Sequence, residues 1–317
     1  MKTNTAFYTV LTIALLSFSG CKKDKQLAPT PTQTVGATSL KNFHLQNGVQ
    51  LEQFTFNAAT GGTFTSAKGS KITIPTNCFV KGNNQAVTGN LTIGFKDIFK
   101  KSDMLFSDVP TNFFNGAPLK SGGEFFINVV GQDSILLGAG KKVEVEQPLL
   151  GQAVDNAMQP MVLLPVDTIK AGMVNAWVVN QSDSVIATPS SYVFSLYHFN
   201  APYSSGTWCN SDNSTYFSSL TQTTLSIINS EVYEIEVFLI FKDINSMVHV
   251  YNSGTYHNDY NYAPEGKECT VVAMGYSSDG KLYTSFTPIT ITSNKSVTLS
   301  FSPMSEDDFK IAVKALD

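Results

Sequence analysis

The sequence predicts an all-β fold with two β-sandwich-like domains, and three observations carry that prediction. The first is composition. Of 317 residues, 42% are hydrophobic and only 15% charged, so a core can form. Thr, Ser, Val, Ile, Phe and Tyr abound, rather than the Ala, Glu, Leu and Lys of long helices. The second is hydrophobic alternation of period two, which places apolar side chains on one face of a strand. The third is a series of turn signals, among them Gly61-Gly62, Gly82-Asn83-Asn84, Asn115-Gly116 and Asp279-Gly280. A one-sided sheet must bury its apolar face on another layer, so many short strands between such turns imply sandwiches.

At the N-terminus, Lys2 precedes a run of 13 mostly apolar residues from Ala6 to Phe18. A membrane-spanning helix needs roughly 20 such residues and a signal-peptide core about 7–15, so residues 1–20 are expected to be a signal peptide. The run ends in Phe18-Ser19-Gly20-Cys21, which resembles a bacterial lipobox. The resemblance implies cleavage before Cys21, acylation of that cysteine by chains such as palmitate, and attachment to a membrane through the N-terminal lipid. Two or more acyl chains hold stably, at about 0.8 kcal/mol per buried methylene. Lys22 stands where an aspartate would imply retention in the inner membrane. The resemblance therefore implies the cell outer membrane, with the periplasmic and surface faces both open. Residues 21–44, which include Pro29-Thr30-Pro31-Thr32, are expected to be the lipidated cysteine and a flexible tether.

The first sandwich is expected over residues 45–185 and the second over residues 186–317. In the first, Leu91, Ile93 and Phe95 alternate with Thr92, Gly94 and Lys96, and Val143 and Val145 alternate with Glu144 and Glu146. In the second, Tyr233, Ile235, Val237, Leu239 and Phe241 form one face of a long strand whose other face carries Glu234 and Glu236. Polar, proline-bearing stretches at 181–184 and 187–191 read as the linker between them. Asp279-Gly280 reads as a hairpin, because it supplies the positive φ angles of a tight β turn. No helix of more than three turns is expected, and residues 306–316 read as a short helix or a last strand.

Residues 60–98 contain Gly61-Gly62-Thr63-Phe64, then Lys71-Ile72-Thr73-Ile74-Pro75, Phe79, and Val87-Thr88-Gly89-Asn90-Leu91-Thr92-Ile93. This order is similar to the opening of ZU5-type β domains. It also resembles a group of Bacteroidota envelope lipoproteins in which a Ser-Gly-Gly strand, here Ser121-Gly122-Gly123-Glu124, and a tryptophan–asparagine–aspartate stretch, here Trp208-Cys209-Asn210-Ser211-Asp212, follow. The resemblance implies a β fold, an envelope location and a role in interaction, and it supplies no catalytic residues.

All 21 basic residues are lysine, against 25 acids, for a net charge of −4. A chain without arginine is a poor candidate for nucleic-acid or bidentate phosphate recognition, so no nucleic-acid partner is expected. The separations of Cys78, Cys209 and Cys269 fit no paired-thiol zinc pattern. In an oxidising compartment Cys209 and Cys269 are candidates for a disulfide, whereas Cys78 reads as a small buried side chain. His198 and His249 read as packed histidines, and no His-Glu-x-x-His pair is present. No metal site and no cofactor are expected. Glu144/Glu146 and Glu234/Glu236 are carboxylate pairs at glycosidase-like spacing, but a solvated strand face explains each of them.

The remaining candidates are aromatic. Trp208 lies near Tyr216 and Phe217, and Tyr256, Tyr260 and Tyr262 are interleaved with His257 and Asp259. Aromatics mixed with polar donors suit stacking on sugar faces or anchoring a protein partner. The expected function is therefore non-catalytic: an outer-membrane lipoprotein that binds or scaffolds a glycan or an envelope protein. The alternatives are a carbohydrate-active enzyme using carboxylates from separate strands and a purely structural envelope protein.

Overall fold

The structure is a computed structural model. It describes residues 36–132, 134–164, 176–198, 206–228, 232–252 and 257–317, and for 228, 251–252 and 257–260 the backbone alone. The predicted signal peptide, Cys21 and Tyr256 lie outside the described residues. Gly36 to Asp317 form one compact unit, and it is all-β and sandwich-like.

Two antiparallel sheets make the first sandwich. One runs in the order β1 (Glu52–Asn57), β5 (Asn90–Ile98), β6 (Lys120–Val129), β13 (Thr207–Asn213), β9 (Gln159–Leu164) and β10 (Ala176–Val179). The other runs β11 (Ser184–Ala187), β12 (Ser191–Leu196), β8 (Val143–Pro148), β3 (Lys71–Ile74) and β2 (Gly62–Thr65). Their inward residues meet as the period-two pattern requires: Ile93 and Phe95, Phe125 and Ile127, Val143 and Val145, Phe194 and Leu196 share one core.

The second sandwich pairs a three-stranded sheet with a five-stranded one. The former is β17 (His257–Pro264), β14 (Leu220–Ile228) and β20 (Lys295–Ser300). The latter is β16 (Met247–Asn252), β15 (Val232–Phe241), β18 (Glu268–Ser277), β19 (Leu282–Thr290) and β21 (Ser302–Pro303). Ile235, Val237, Leu239 and Phe241 of β15 face Leu225, Val297 and Leu299 across its core. The Asp279-Gly280 hairpin joins β18 to β19, with Gly280 at φ 75° and Ser277 N–H donating to the Lys281 carbonyl at 3.0 Å.

A third core joins the two sandwiches. Phe238 and Ile240, on the other face of β15, pack with Val272 and Met274 of β18 and with Ile98, Met161 and Trp177 of the six-stranded sheet. Both faces of β15 are therefore buried, which is why it ends in the unbroken apolar run Val237-Phe238-Leu239-Ile240-Phe241. Three short helices fill the rest of this layer: α1 (Leu40–Asn47), α2 (Lys101–Ser107) and α3 (Glu306–Lys314). Each contributes one ring, and Phe43 lies edge-on to Phe106 at 5.9 Å and to Phe309 at 5.7 Å.

Three expectations are corrected by this arrangement. The tether does not extend to residue 44, because Ser39 caps α1 through its hydroxyl and Phe43 is fully buried. The boundary near 185 falls inside β11, and β12 and β13 beyond it complete the first sandwich's sheets. The linker-like Thr188-Pro189-Ser190-Ser191 is instead a tight β11–β12 turn, closed by Thr188 N–H on the Ser191 carbonyl at 2.8 Å. The disulfide does not form: Cys209 and Cys269 are free buried thiols in separate cores. Of the two readings for the C-terminus, the helix is the one realised. Ser305 accepts Asp308 N–H at its start, Glu306, Asp307 and Asp308 fill its first turn, and Phe309 and Val313 bury one face.

Candidate functional site

Among the described residues, a cluster of titratable side chains lies beside the shared core. His44 comes from the last turn of α1, Asp108 from the residue capping α2, Glu236 from β15 and His249 from β16. Each is placed by local backbone chemistry. Asp108 adopts the left-handed conformation (φ 51°, ψ 45°) that ends α2, with its N–H on the Leu105 carbonyl at 3.2 Å. Aspartate tolerates that region better than most residues.

The segment after Asp108 is then stitched along β16. Thr111 N–H donates to the Met247 carbonyl at 2.7 Å. Asn112 acts as a strand partner by side chain alone: its Oδ1 accepts His249 N–H at 2.8 Å, and its Nδ2 donates to the His249 carbonyl at 3.0 Å. A β-bulge between Val237 and Phe238 shifts the β15–β16 register beside Glu236, a local distortion that commonly re-aims side chains.

α1 is held against these strands at both ends. Leu40 N–H, in its first turn, donates to Glu234 Oε2 at 3.2 Å, an acid at the positive end of a helix. Gly48 follows α1, and a Cβ there would lie 2.7 Å from the His44 carbonyl and 3.2 Å from that of Phe106, so only glycine lets the ends of α1 and α2 approach so closely. Of the pair expected on a solvated strand face, Glu234 is exposed, whereas Glu236 is buried where α1 docks.

His44 Nε2 is 2.8 Å from Glu236 Oε2 and its Nδ1 is 3.2 Å from the Phe106 carbonyl oxygen. Burial alone would lower the His44 pKa, but the hydrogen bond and charge of Glu236 and the charge of Asp108 outweigh it and raise it above 6.5. With oxygen acceptors on both ring nitrogens, the imidazolium form is favoured. His249 Nδ1 lies 3.4 Å from Asp108 Oδ1, and its ring packs on Phe238 at 4.4 Å between centroids. Donor atoms of His44, Asp108 and Glu236 all fall within 4.8 Å of one another. No ligand-like spacing in the sequence connects these three residues, which come from three separate elements.

A second polar group is wholly interior. Ser121 and Glu124 of β6 lie beside Asn210 and Asp212 of β13, in the register Glu124↔Asn210 and Ser121↔Asp212. Ser121 donates to Asn210 Oδ1 at 2.9 Å. The Ser-Gly-Gly motif serves close packing: a Cβ on Gly122 would lie 2.6 Å from the Tyr192 ring, and one on Gly123, at φ 135°, would lie 2.8 Å from Phe99. Burial, then the charge of Asp212, pushes the Glu124 carboxyl well up, and burial does the same to Asp212. The predicted pair Glu144/Glu146 is engaged elsewhere, Glu144 with Lys142 at 2.6 Å and Glu146 with the Ser191 hydroxyl at 3.0 Å.

The predicted aromatic residues are only partly brought together. His257, Asp259, Tyr260 and Tyr262 share β17, one of the two outer strands of its sheet among the described residues. Tyr262 is 36% exposed and lies against Gly116. Trp208 does not join them. It is half-buried in β13, 5.3 Å from the Phe126 ring, and packs on the shared core. Comparison of the chain with family models, with curated proteins and with solved structures finds no match in any of the three.

Proposed function

We propose that the protein is a non-catalytic outer-membrane lipoprotein that binds or scaffolds, with a glycan or another envelope protein as partner. The observation that carries this reading is β17, an outermost strand that gathers Tyr260, Tyr262, His257 and Asp259 into one segment. Outer strands offer a row of main-chain groups to an added strand, and tyrosines stack on sugars or anchor partner side chains. The shared core supports a scaffolding role, since it makes the two sandwiches one body. The membrane part of the proposal rests on Cys21 and its flanking residues.

The test is retention of the full chain on a panel of envelope and dietary glycans, and capture of envelope proteins, with and without Tyr256→Ala, Tyr260→Ala and Tyr262→Ala combined. Weakened retention of at least one partner supports the proposal, and unchanged retention across the panel removes it. Glycan hydrolysis that is lost in Asp259→Asn would replace it with the catalytic alternative. A Cys21→Ala variant that still partitions with membranes and still takes up labelled fatty acid would remove the lipid anchor.

A further inference from the structure

We propose that His44, Asp108 and Glu236 bind one divalent transition-metal ion, which clamps α1 to the end of α2 and to β15. The inference is independent of the envelope reading. It starts from geometry: one imidazole nitrogen and two carboxylates, from three separate elements, present donor atoms within 4.8 Å of one another. Ligand atoms around a tetrahedral zinc ion, bonded at about 2.0–2.2 Å, lie about 3.4 Å apart, so the His44 Nε2–Glu236 Oε2 contact at 2.8 Å must open slightly and Asp108 must close by on the order of 1 Å. Asp108 can supply that movement, because its side chain is 34% exposed whereas those of His44 and Glu236 are 12% and 6% exposed. The same exposure gives an ion a path to the site.

The surroundings of these ligands are those of a metal site. Metal-binding histidines commonly donate their second ring N–H to a carbonyl or carboxylate, which fixes the ring and aims the other nitrogen. His44 Nδ1 has such a partner in the Phe106 carbonyl at 3.2 Å, and this leaves Nε2 directed at Glu236. Asp108 is flanked on its buried side by His249 Nδ1 at 3.4 Å. Two carboxylates outweigh a single imidazolium, so the cluster favours a cation. A mixed nitrogen and oxygen donor set selects a first-row transition ion over calcium or magnesium. On binding, the ion takes the place of the proton on Nε2, which leaves to solvent.

The experiment uses the full untagged chain, stripped with EDTA and titrated with Zn2+, with Ca2+ as comparison. The expected result is one bound Zn2+ per chain and a melting temperature that rises with free Zn2+ and returns to its starting value with EDTA, without a comparable response to Ca2+. Asp108→Asn keeps the left-handed cap and should weaken Zn2+ binding by at least ~10-fold. His44→Gln should weaken it at least as much. The proposal is overturned if Zn2+ neither binds stoichiometrically nor shifts the melting temperature. It is equally overturned if binding is undiminished in Asp108→Asn and His44→Gln, which would put the ion elsewhere.

Discussion

His44 and Glu236 are separated by 192 positions in the chain, yet their side chains meet at 2.8 Å. The contact docks α1, the first element among the described residues, onto the five-stranded sheet of the second sandwich. Next to it, Phe43 is fully buried against Phe106 and Phe309. Removing that ring leaves a cavity where three helices converge, so Phe43→Ala should destabilise the fold by about 3–5 kcal/mol. Urea unfolding measures this, and a loss below about 1 kcal/mol would show that α1 is an appendage and not part of the core.

Asn112 joins the α2 connection to β16 through two hydrogen bonds to the main chain of His249. Asn112→Ala leaves a buried N–H and a buried carbonyl without those partners, at a cost of about 1–3 kcal/mol for each unsatisfied group. Amide hydrogen exchange at His249 should accelerate together with the loss of stability. Unaltered protection there would mean that other contacts hold β16.

The interior acids predict how stability depends on pH. Glu124 and Asp212 have folded-state pKa values raised well above 4.5 and 3.8. The folded protein therefore binds more protons than the unfolded chain once pH exceeds those lower values. Their contribution is fully present in acid and is lost as pH rises through the folded values. Asp212→Asn keeps a neutral group of similar shape and removes part of this loss. Its stability relative to the parent chain should accordingly rise as pH increases above the ordinary carboxylate range. A difference that is flat or falls above that range in denaturant titrations would contradict the buried-acid reading.

The three body cysteines should behave as shielded thiols. Burial pushes Cys78 up to about 11 and Cys269 up to about 12, and burial followed by the charge of Asp183 pushes Cys209 well up. Reaction with an aromatic disulfide reagent should be slow in the native protein and complete for all three after unfolding, because the thiolate is the reactive form. A reductant should leave the melting temperature unchanged. A drop on reduction, or fewer than three reactive thiols beyond Cys21 after unfolding, would indicate a bridge.

Period-two alternation at Leu91–Ile93–Phe95 and Val143–Val145, and the Asp279-Gly280 hairpin, are legible in the chain because pleat geometry and turn sterics act over a few residues. The same local reasoning misreads 187–191 as a linker, since a polar proline-bearing turn and a polar proline-bearing connection have the same composition. It also misreads Glu236 as part of a solvated face, because nothing near it in sequence announces that α1 will cover it. Trp208 shows the limit from the other side, as an aromatic beside polar residues that serves packing.

The sequence alone determined the β character, the strand faces and the turns, all of which follow from short-range sterics and hydrophobic periodicity. Only the tertiary structure decided that two sandwiches share a third core, that Cys209 and Cys269 lie in separate cores, and that His44, Asp108 and Glu236 converge. Those outcomes depend on which apolar faces bury one another, and that choice is made among segments far apart in the chain, where no local periodicity records it.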